Sequence, residues 1–306
     1  MFDLAILGGG PAGVSGAVYA ARKKLKTVFI TKEFGGQSVV SEGIENWIGD
    51  KNIPGSELAK KFEEHVRNYE DDIDIHEGEW IKNVTKIEGG FEVETDKGSY
   101  QSKTILIGTG SHRRRLDAEN ADTFEHKGVT YCASCDGPLF TGKDVIVIGG
   151  GNAGFETASQ LLAYTNSVTL LHHRDTVKAD PVTVEAVTKN PKMTLITNAK
   201  IKKVVGEKFV EGVVYEDVVS GEEKELQASG IFVEIGSIPT IEFVSDIVPL
   251  DEYNRIKIDP WTQRTETDGI WAAGDCTNIK YHQNNIAAGD AVRALEDLYL
   301  EIQKLK

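Results

Sequence analysis

Cysteine is scarce. Three residues in a chain of 306 cannot build a disulfide framework, so the fold must rest on an ordinary hydrophobic core. Long apolar runs are missing too, with nothing approaching the ~18 residues that a membrane-spanning helix needs. No basic region leads into an apolar segment at the N-terminus, where Met1-Phe2-Asp3-Leu4 enters a strand-like run at once, and a cytoplasmic location is the expectation. Positive charge is in deficit, with 34 lysines and arginines against 48 acidic residues and a net charge of −14. A surface that negative repels phosphate backbones and anionic lipid, which argues against nucleic acid and membrane partners. Low-complexity segments are absent. At ~150 residues per domain, the length argues for about two globular domains.

What is abundant is glycine, 31 residues in clusters. The apolar strand Leu4-Ala5-Ile6-Leu7 runs straight into Gly8-Gly9-Gly10-Pro11-Ala12-Gly13, and a helix-like stretch follows from Pro11 to Lys24. Pro11 suits a first helical turn, where its missing N–H costs nothing. Such a turn lets backbone approach a pyrophosphate and leaves the phosphate at the positive end of a helix. The template recurs as Asp144-Val145-Ile146-Val147-Ile148 followed by Gly149-Gly150-Gly151-Asn152-Ala153-Gly154, with Phe155 to Tyr164 reading as the helix. One such motif is a weak signal; two, each between strand and helix, predict two dinucleotide sites.

The next strand separates the sites. After the first turn it is Thr27–Ile30, ending at Thr31 with Lys32 and Glu33 beyond. After the second it is Val168–Leu171, ending in His172-His173-Arg174 with Lys178 a turn later. An acid at that end would hold a free ribose 2′-hydroxyl, and basic groups would accept a 2′-phosphate. The second site therefore leans to NADPH over NADH, the alternative being a solvated basic loop.

The remaining pattern supports an inserted domain. Phe91–Thr95 alternates like a half-buried strand closed by a turn at Asp96-Lys97-Gly98, and Leu58, Phe62, Val66 and Tyr69 are spaced as a helix face. Ile105-Leu106-Ile107-Gly108-Thr109-Gly110 is a buried strand and turn, with Ile231–Gly236 as its counterpart in the second domain. Gly269–Asp275 is another strand and turn, and a helix runs from about Asn285 with Ala288, Ala291, Val292, Leu295, Leu298, Tyr299 and Ile302 on one face. The expected fold class is α/β: two Rossmann-like, three-layer ββα domains, the second (113–241) inserted into the first (1–112 and 242–306).

Just ahead of the second template stands Tyr131-Cys132-Ala133-Ser134-Cys135-Asp136-Gly137. A C-x-x-C closes a small ring that can cycle between dithiol and disulfide. The adjacent acid can give and take the proton that thiolate chemistry moves. The competing reading, half a structural zinc site, needs about four ligands, and no second C-x-x-C or C-x-x-H supplies them, so no metal is expected.

With these motifs, joined by Gly35-Gly36-Gln37, Ile44-Glu45-Asn46-Trp47 and Gly274-Asp275-Cys276 with His282-Gln283, the chain resembles the low-molecular-weight thioredoxin reductases along essentially its whole length. It equally resembles the flavoprotein portion of the reductase subunit of alkyl hydroperoxide reductase. That subunit carries extra thioredoxin-like domains ahead of its flavin domain; this chain begins at the flavin domain, so a separate disulfide partner is expected. The resemblance implies FAD in the first domain, its pyrophosphate at Gly8, Gly10, Pro11, Ala12 and Gly13. It implies further contacts from Thr31, Lys32, Gly36, Gln37 and Asn46, and from Thr109, Gly110, Gly274, Asp275, His282, Gln283 and Asn284. NADPH would lie on Gly149, Gly151, Asn152, Ala153 and Gly154, with His172, His173, Arg174 and Lys178 toward its 2′-phosphate. Cys135 would face the flavin, Cys132 would attack the partner's disulfide, and Asp136 would be the acid/base. The implied partner is thioredoxin or a glutaredoxin-like protein, in a homodimer whose inserted domain swings on its linkers.

One motif departs from the family. Where these reductases carry His-Arg-Arg-x-x-x-Arg, this chain has His172-His173-Arg174-Asp175-Thr176-Val177-Lys178, replacing two bidentate phosphate binders by weaker point charges. NADH and a ferredoxin-type donor are therefore alternatives, as is a flavin redox sensor without turnover. The basic run His112-Arg113-Arg114-Arg115 reads as a solvated linker, or else as a group that meets an acidic face of the partner or stiffens the hinge, and Cys276 as a small buried apolar residue.

Overall fold

A computed structural model describes residues 1–41 and 43–304. The chain divides into two compact units, Met1–His112 with Ile238–Lys306, and Arg113–Ser237. The first opens with β1 (Phe2–Leu7), α1 (Pro11–Arg22) and β2 (Thr27–Thr31), followed by α2 (Gly55–Arg67), β3 (Ile73–Glu77) and the meander β4 (Ile81–Ile87), β5 (Gly90–Thr95) and β6 (Ser99–Ile107). The strand β7 (Ser111–Arg113) leads out. The second unit holds β8 (Val129–Thr130), α3 (Ala133–Asp136), β9 (Asp144–Ile148), α4 (Asn152–Leu161), β10 (Ser167–Leu171), α5 (Pro181–Thr188) and β11 (Met193–Ile196). It continues with β12 (Ala199–Gly206), β13 (Val210–Asp217), β14 (Glu223–Gln227) and β15 (Gly230–Val233). The strand β16 (Ser237–Pro239) leads back to β17 (Ile270–Ala272) and α6 (Asn284–Lys304). The two crossing strands pair with each other. The return falls slightly ahead of residue 241 because the Thr240 N–H already donates to the Gly110 carbonyl of the first unit.

Each unit is built around parallel strands buried on both faces, which is why those strands read as unbroken apolar runs, and in the first unit the antiparallel β4 and β5 extend the sheet. In the first, the order is β3-β2-β1-β6-β5-β4, with β17 added on β6. Leu4, Ile6, Phe29, Leu106 and Trp271 face α1 and α6, while Ala5, Leu7, Val28, Ile30 and Ile105 face Val84, Phe91 and Val93 of the meander. The helix α1 approaches closely because its inner face is made of small residues; a Cβ added at Gly16 would meet Leu106 at 2.6 Å. Tyr69 lies just beyond α2 and packs partly buried against the same core. Along α6 the buried face runs through Ala287, Ala291, Ala294, Leu295, Leu298 and Ile302. The expected Ala288 and Val292 are only half-buried at its margin.

The second unit repeats the plan with sheet order β11-β10-β9-β15-β8. Val145, Val147 and Leu170 pack on Phe155, Ala158 and Leu161 of α4. The opposite face, Ile146, Ile148, Leu171 and Ile231, is covered by a separate antiparallel sheet, β12-β13-β14, through Val204, Val213 and Tyr215. Among the described residues no helix is long and apolar enough to cross a membrane.

Candidate active site

Both glycine turns have the same construction. At the first, Gly8 holds φ +113°, where a side chain would be strained, and a Cβ there would lie 2.5 Å from the Gly108 carbonyl oxygen. A Cβ at Gly13 would stand 1.8 Å from the Gly8 carbonyl oxygen, so α1 can leave the strand this tightly only without one. At the second turn Gly149 has φ +132° and packs on the Glu234 carbonyl, and a Cβ at Gly154 would lie 1.9 Å from the Gly149 oxygen. The middle glycines differ. A Cβ at Gly10 would meet only the Gly36 Cα at 3.9 Å, and one at Gly151 would meet nothing within 4 Å. These open faces, at the starts of α1 and α4, are cradles that a side chain would fill. Neither helix has a side-chain cap or an acid in its own first turn, so no side chain of either helix takes its first N–H groups.

In the first unit, residues distant in sequence gather around α1. The Gly35 N–H donates to the Gly9 carbonyl, and Gly274 packs against Ala12 and Ala287, placing Asp275 beside the helix start. The Gln37 amide donates to the Ser111 carbonyl, Asn46 Nδ2 donates to Gln283 Oε1 at 3.1 Å, and Ser38 Oγ donates to Asn284 Oδ1 at 2.9 Å. Gln37, Asn46, Gln283 and Asn284 thus lie together along one seam, with Thr109 and Gly110 at the end of β6; the Thr109 hydroxyl donates to the Thr240 carbonyl at 2.6 Å. Thr31 is buried, its hydroxyl donating to the Glu33 carbonyl, and Lys32 lies over the Trp80 ring at 4.6 Å. His282 hydrogen-bonds the Ile279 carbonyl through Nε2. Cys276 is fully buried, which pushes its thiol up to about 12 and leaves it unreactive.

At the end of β10 the basic residues divide by burial. His172 does not join the exposed basic groups: it is 6% exposed, packs its ring beneath Gly150, and hydrogen-bonds the Thr176 carbonyl through Nε2. Burial is the main cause that lowers its pKa, with the neighbouring cationic groups adding to it, so the imidazole supports the turn as a neutral group. His173, Arg174 and Lys178 remain exposed, with Arg174 Nε donating to His173 Nε2 at 3.1 Å.

Glu234, just past β15, was not singled out in the sequence. Its carboxylate is buried, accepting from Thr157 Oγ1 at 2.9 Å and pairing with Arg113 at 3.4 Å, which gives one member of the basic run a structural role. Burial pushes its pKa above the ordinary carboxylate range, with Arg113 and then Thr157 pulling it back. The folded state therefore holds the proton more tightly than the unfolded chain. The contribution of Glu234 to stability is greatest below the ordinary carboxylate pKa and is lost as pH climbs from there through the raised value. E234Q, which keeps a partner for Thr157, is expected to flatten that decline in urea unfolding measured across this pH window; an unchanged slope would contradict the assignment.

The redox pair lies in the same unit. Cys132 and Cys135 form a disulfide, with their Cα atoms 5.3 Å apart, spanning the short helix α3. Cys132 caps that helix, its Sγ accepting from the Cys135 N–H at 3.2 Å. Asp136 follows directly, and its carboxylate accepts from the hydroxyl of Thr130 at the end of β8. The Tyr164 hydroxyl packs beneath Gly137. Among the described residues no cluster of histidine, cysteine or acidic side chains could hold a metal ion.

Comparison with known proteins agrees with this geometry. The family model for pyridine nucleotide-disulphide oxidoreductases matches residues 2–289. An NADH dehydrogenase of Bacillus subtilis is 40% identical over 294 residues, 96% of this chain and 57% of its own length. One component of alkyl hydroperoxide reductase, that of Staphylococcus epidermidis, is 39% identical with the same coverage. The chain thus spans about 57% of the length of these curated relatives. Among solved structures, a thioredoxin reductase from Streptococcus pyogenes superposes with TM-score 0.90 at 31% identity, covering 99% of both chains. One from Giardia duodenalis gives 0.92 at 28% identity, again covering 99% of both. With the family model matched over residues 2–289, the chain belongs to the pyridine nucleotide-disulphide oxidoreductase family.

Proposed function

We propose that the chain is a flavin-dependent disulfide reductase that passes electrons from a pyridine nucleotide, through Cys132 and Cys135, to a small redox protein of the thioredoxin or glutaredoxin type. The observation that carries this reading is the Cys132–Cys135 disulfide at a capped helix with Asp136 next in sequence. FAD is assigned to the first unit, held at Gly10, Pro11, Ala12 and Gly13 with Gly36, Gln37, Asn46, Asp275 and Gln283 along the seam. The nucleotide is assigned to the second unit, at Gly151, Asn152, Ala153 and Gly154. When bound, FAD supplies two-electron transfer between nicotinamide and disulfide. Cys132, as thiolate, attacks the partner's disulfide; Cys135 then attacks Cys132, re-forming the protein's own disulfide and releasing the partner as a dithiol. Asp136 holds and moves the proton this exchange requires. A homodimer in the cytoplasm is part of the same reading.

NADPH is the first assignment for the donor, because the strand leads into basic residues and Arg174 and Lys178 outnumber the acid Asp175 between them. The withdrawal of His172 into the core favours NADH as the second reading, since it leaves fewer cations for a 2′-phosphate. Anaerobic titration of the purified flavoprotein separates them. Bleaching of the flavin band by low micromolar NADPH alone is expected; equal bleaching by NADH would move the assignment to the second reading. If neither nucleotide reduces a flavin that dithionite does reduce, the proposal fails at its second site.

A further inference from the structure

The structure assigns a second task at the redox centre to Thr130: we propose that it is a positioning residue that aims the Asp136 carboxylate at the dithiol formed by Cys132 and Cys135. The inference rests on the proposed disulfide exchange and deepens it. Thr130 ends β8, which pairs in parallel with β15 through Thr130 and Phe232, so its Cα is set by the sheet rather than by the four-residue helix it serves. The side chain is 7% exposed. Its hydroxyl does two things at once. It donates to Asp136 Oδ2 and accepts from the backbone N–H of Cys132 at 3.3 Å, tying the two ends of α3 to one atom. Proton transfer depends on a fixed approach of donor and acceptor, and this bond is one that the sheet holds in place.

In the exchange, the dithiol and the partner's disulfide become the protein's disulfide and the partner's dithiol, with two electrons moving from one sulfur pair to the other. The two thiol protons pass to the partner's two sulfurs, one of them by way of Asp136. Among the described residues, titratable and charged groups near this helix include Tyr131, with Glu125, Arg115 and Asp122 around it, and Tyr164 from the α4 side. Burial raises both tyrosines, so neither competes for the proton near neutral pH.

The test uses the full-length flavoprotein with T130V, T130A, T130S and D136N. Thiolate absorbance at 240 nm is followed against pH in the dithiothreitol-reduced protein, a readout that needs no pyridine nucleotide and survives a wrong donor assignment. Turnover against thioredoxin is measured alongside. In T130V the thiolate titration and the turnover profile should both depart from those of the wild type, and kcat should fall roughly tenfold with KM for thioredoxin unchanged. T130S should restore the wild-type profile, and T130V should add nothing in a D136N background. T130A stands in if T130V does not fold. Wild-type profiles in T130V and T130A would overturn the proposal, as would equal impairment in T130S and T130V, which would mark Thr130 as packing only. Loss of thioredoxin turnover in the wild type together with a normal thiolate titration would instead count against the proposed partner.

Discussion

C135S is expected to abolish disulfide reduction, lowering turnover by roughly a thousandfold or more, because the two cysteines act as a unit and neither can be half-replaced. The remaining Cys132 thiol can still attack a partner disulfide, but nothing resolves the product, so a stable mixed disulfide should accumulate. C132S should be equally inactive without trapping the partner, since Cys132 is the residue assigned to the attack. Non-reducing electrophoresis and intact mass measurement distinguish the two variants. Cys132 is the N-cap of α3, ahead of the helix, and Cys135 lies within it. A fully active C135S would overturn the relay. Trapping by C132S and not by C135S would keep the relay and reverse the roles.

The second large effect is expected at Gly154. A methyl group there would lie 1.9 Å from the Gly149 carbonyl oxygen, a backbone atom held by the turn that Gly149 makes at positive φ. Relief requires α4 to move away from the strand end, and strain of this kind typically costs about 1–3 kcal/mol, occasionally more. Movement of the helix start also pulls its N–H groups off the cradle at Gly151. G154A should therefore lose reduction by either pyridine nucleotide by about a hundredfold or more, each lost charge-assisted hydrogen bond being worth roughly 1.5–3 kcal/mol. Dithionite reduction of the flavin and the visible spectrum should stay normal, because the first unit is untouched. G13A, with a gap of only 1.8 Å to the Gly8 oxygen, should show the converse: impaired flavin retention. Normal nucleotide reduction in G154A would show that the turn does not bind the donor.

Much of this was legible in the sequence because it is local. A strand, a glycine turn and a helix occupy consecutive residues, and the physical demand on each glycine acts within a few positions, so both turns could be placed without a fold. The C-x-x-C with its neighbouring acid is local in the same way. The antiparallel sheet over residues 199–227 was not singled out: its strands carry mixed polar and apolar residues, and only burial against Ile146, Ile148 and Leu171 shows which of them form the inner face. The spacing of α6 puts Ala288 and Val292 on its inner face, where they are only half-buried, since the inner face of a helix rich in alanine is chosen by the surface it meets.

The sequence by itself determined the family, the α/β class, the two glycine turns and the redox pair, because each is a short pattern whose chemistry needs those residue types at that spacing. Tertiary structure decided which of these residues are free to act. His172 sits among basic neighbours in the chain, yet its ring packs beneath Gly150 as a neutral support. Arg113 looks like part of a solvated run and pairs with a buried Glu234 that lies far along the chain. Thr130 looks like an ordinary strand residue and bonds the carboxylate next to the disulfide. In each case the deciding neighbour arrives through space, from another strand or the far side of a turn, and a side chain's charge, partner and exposure are set by that neighbour.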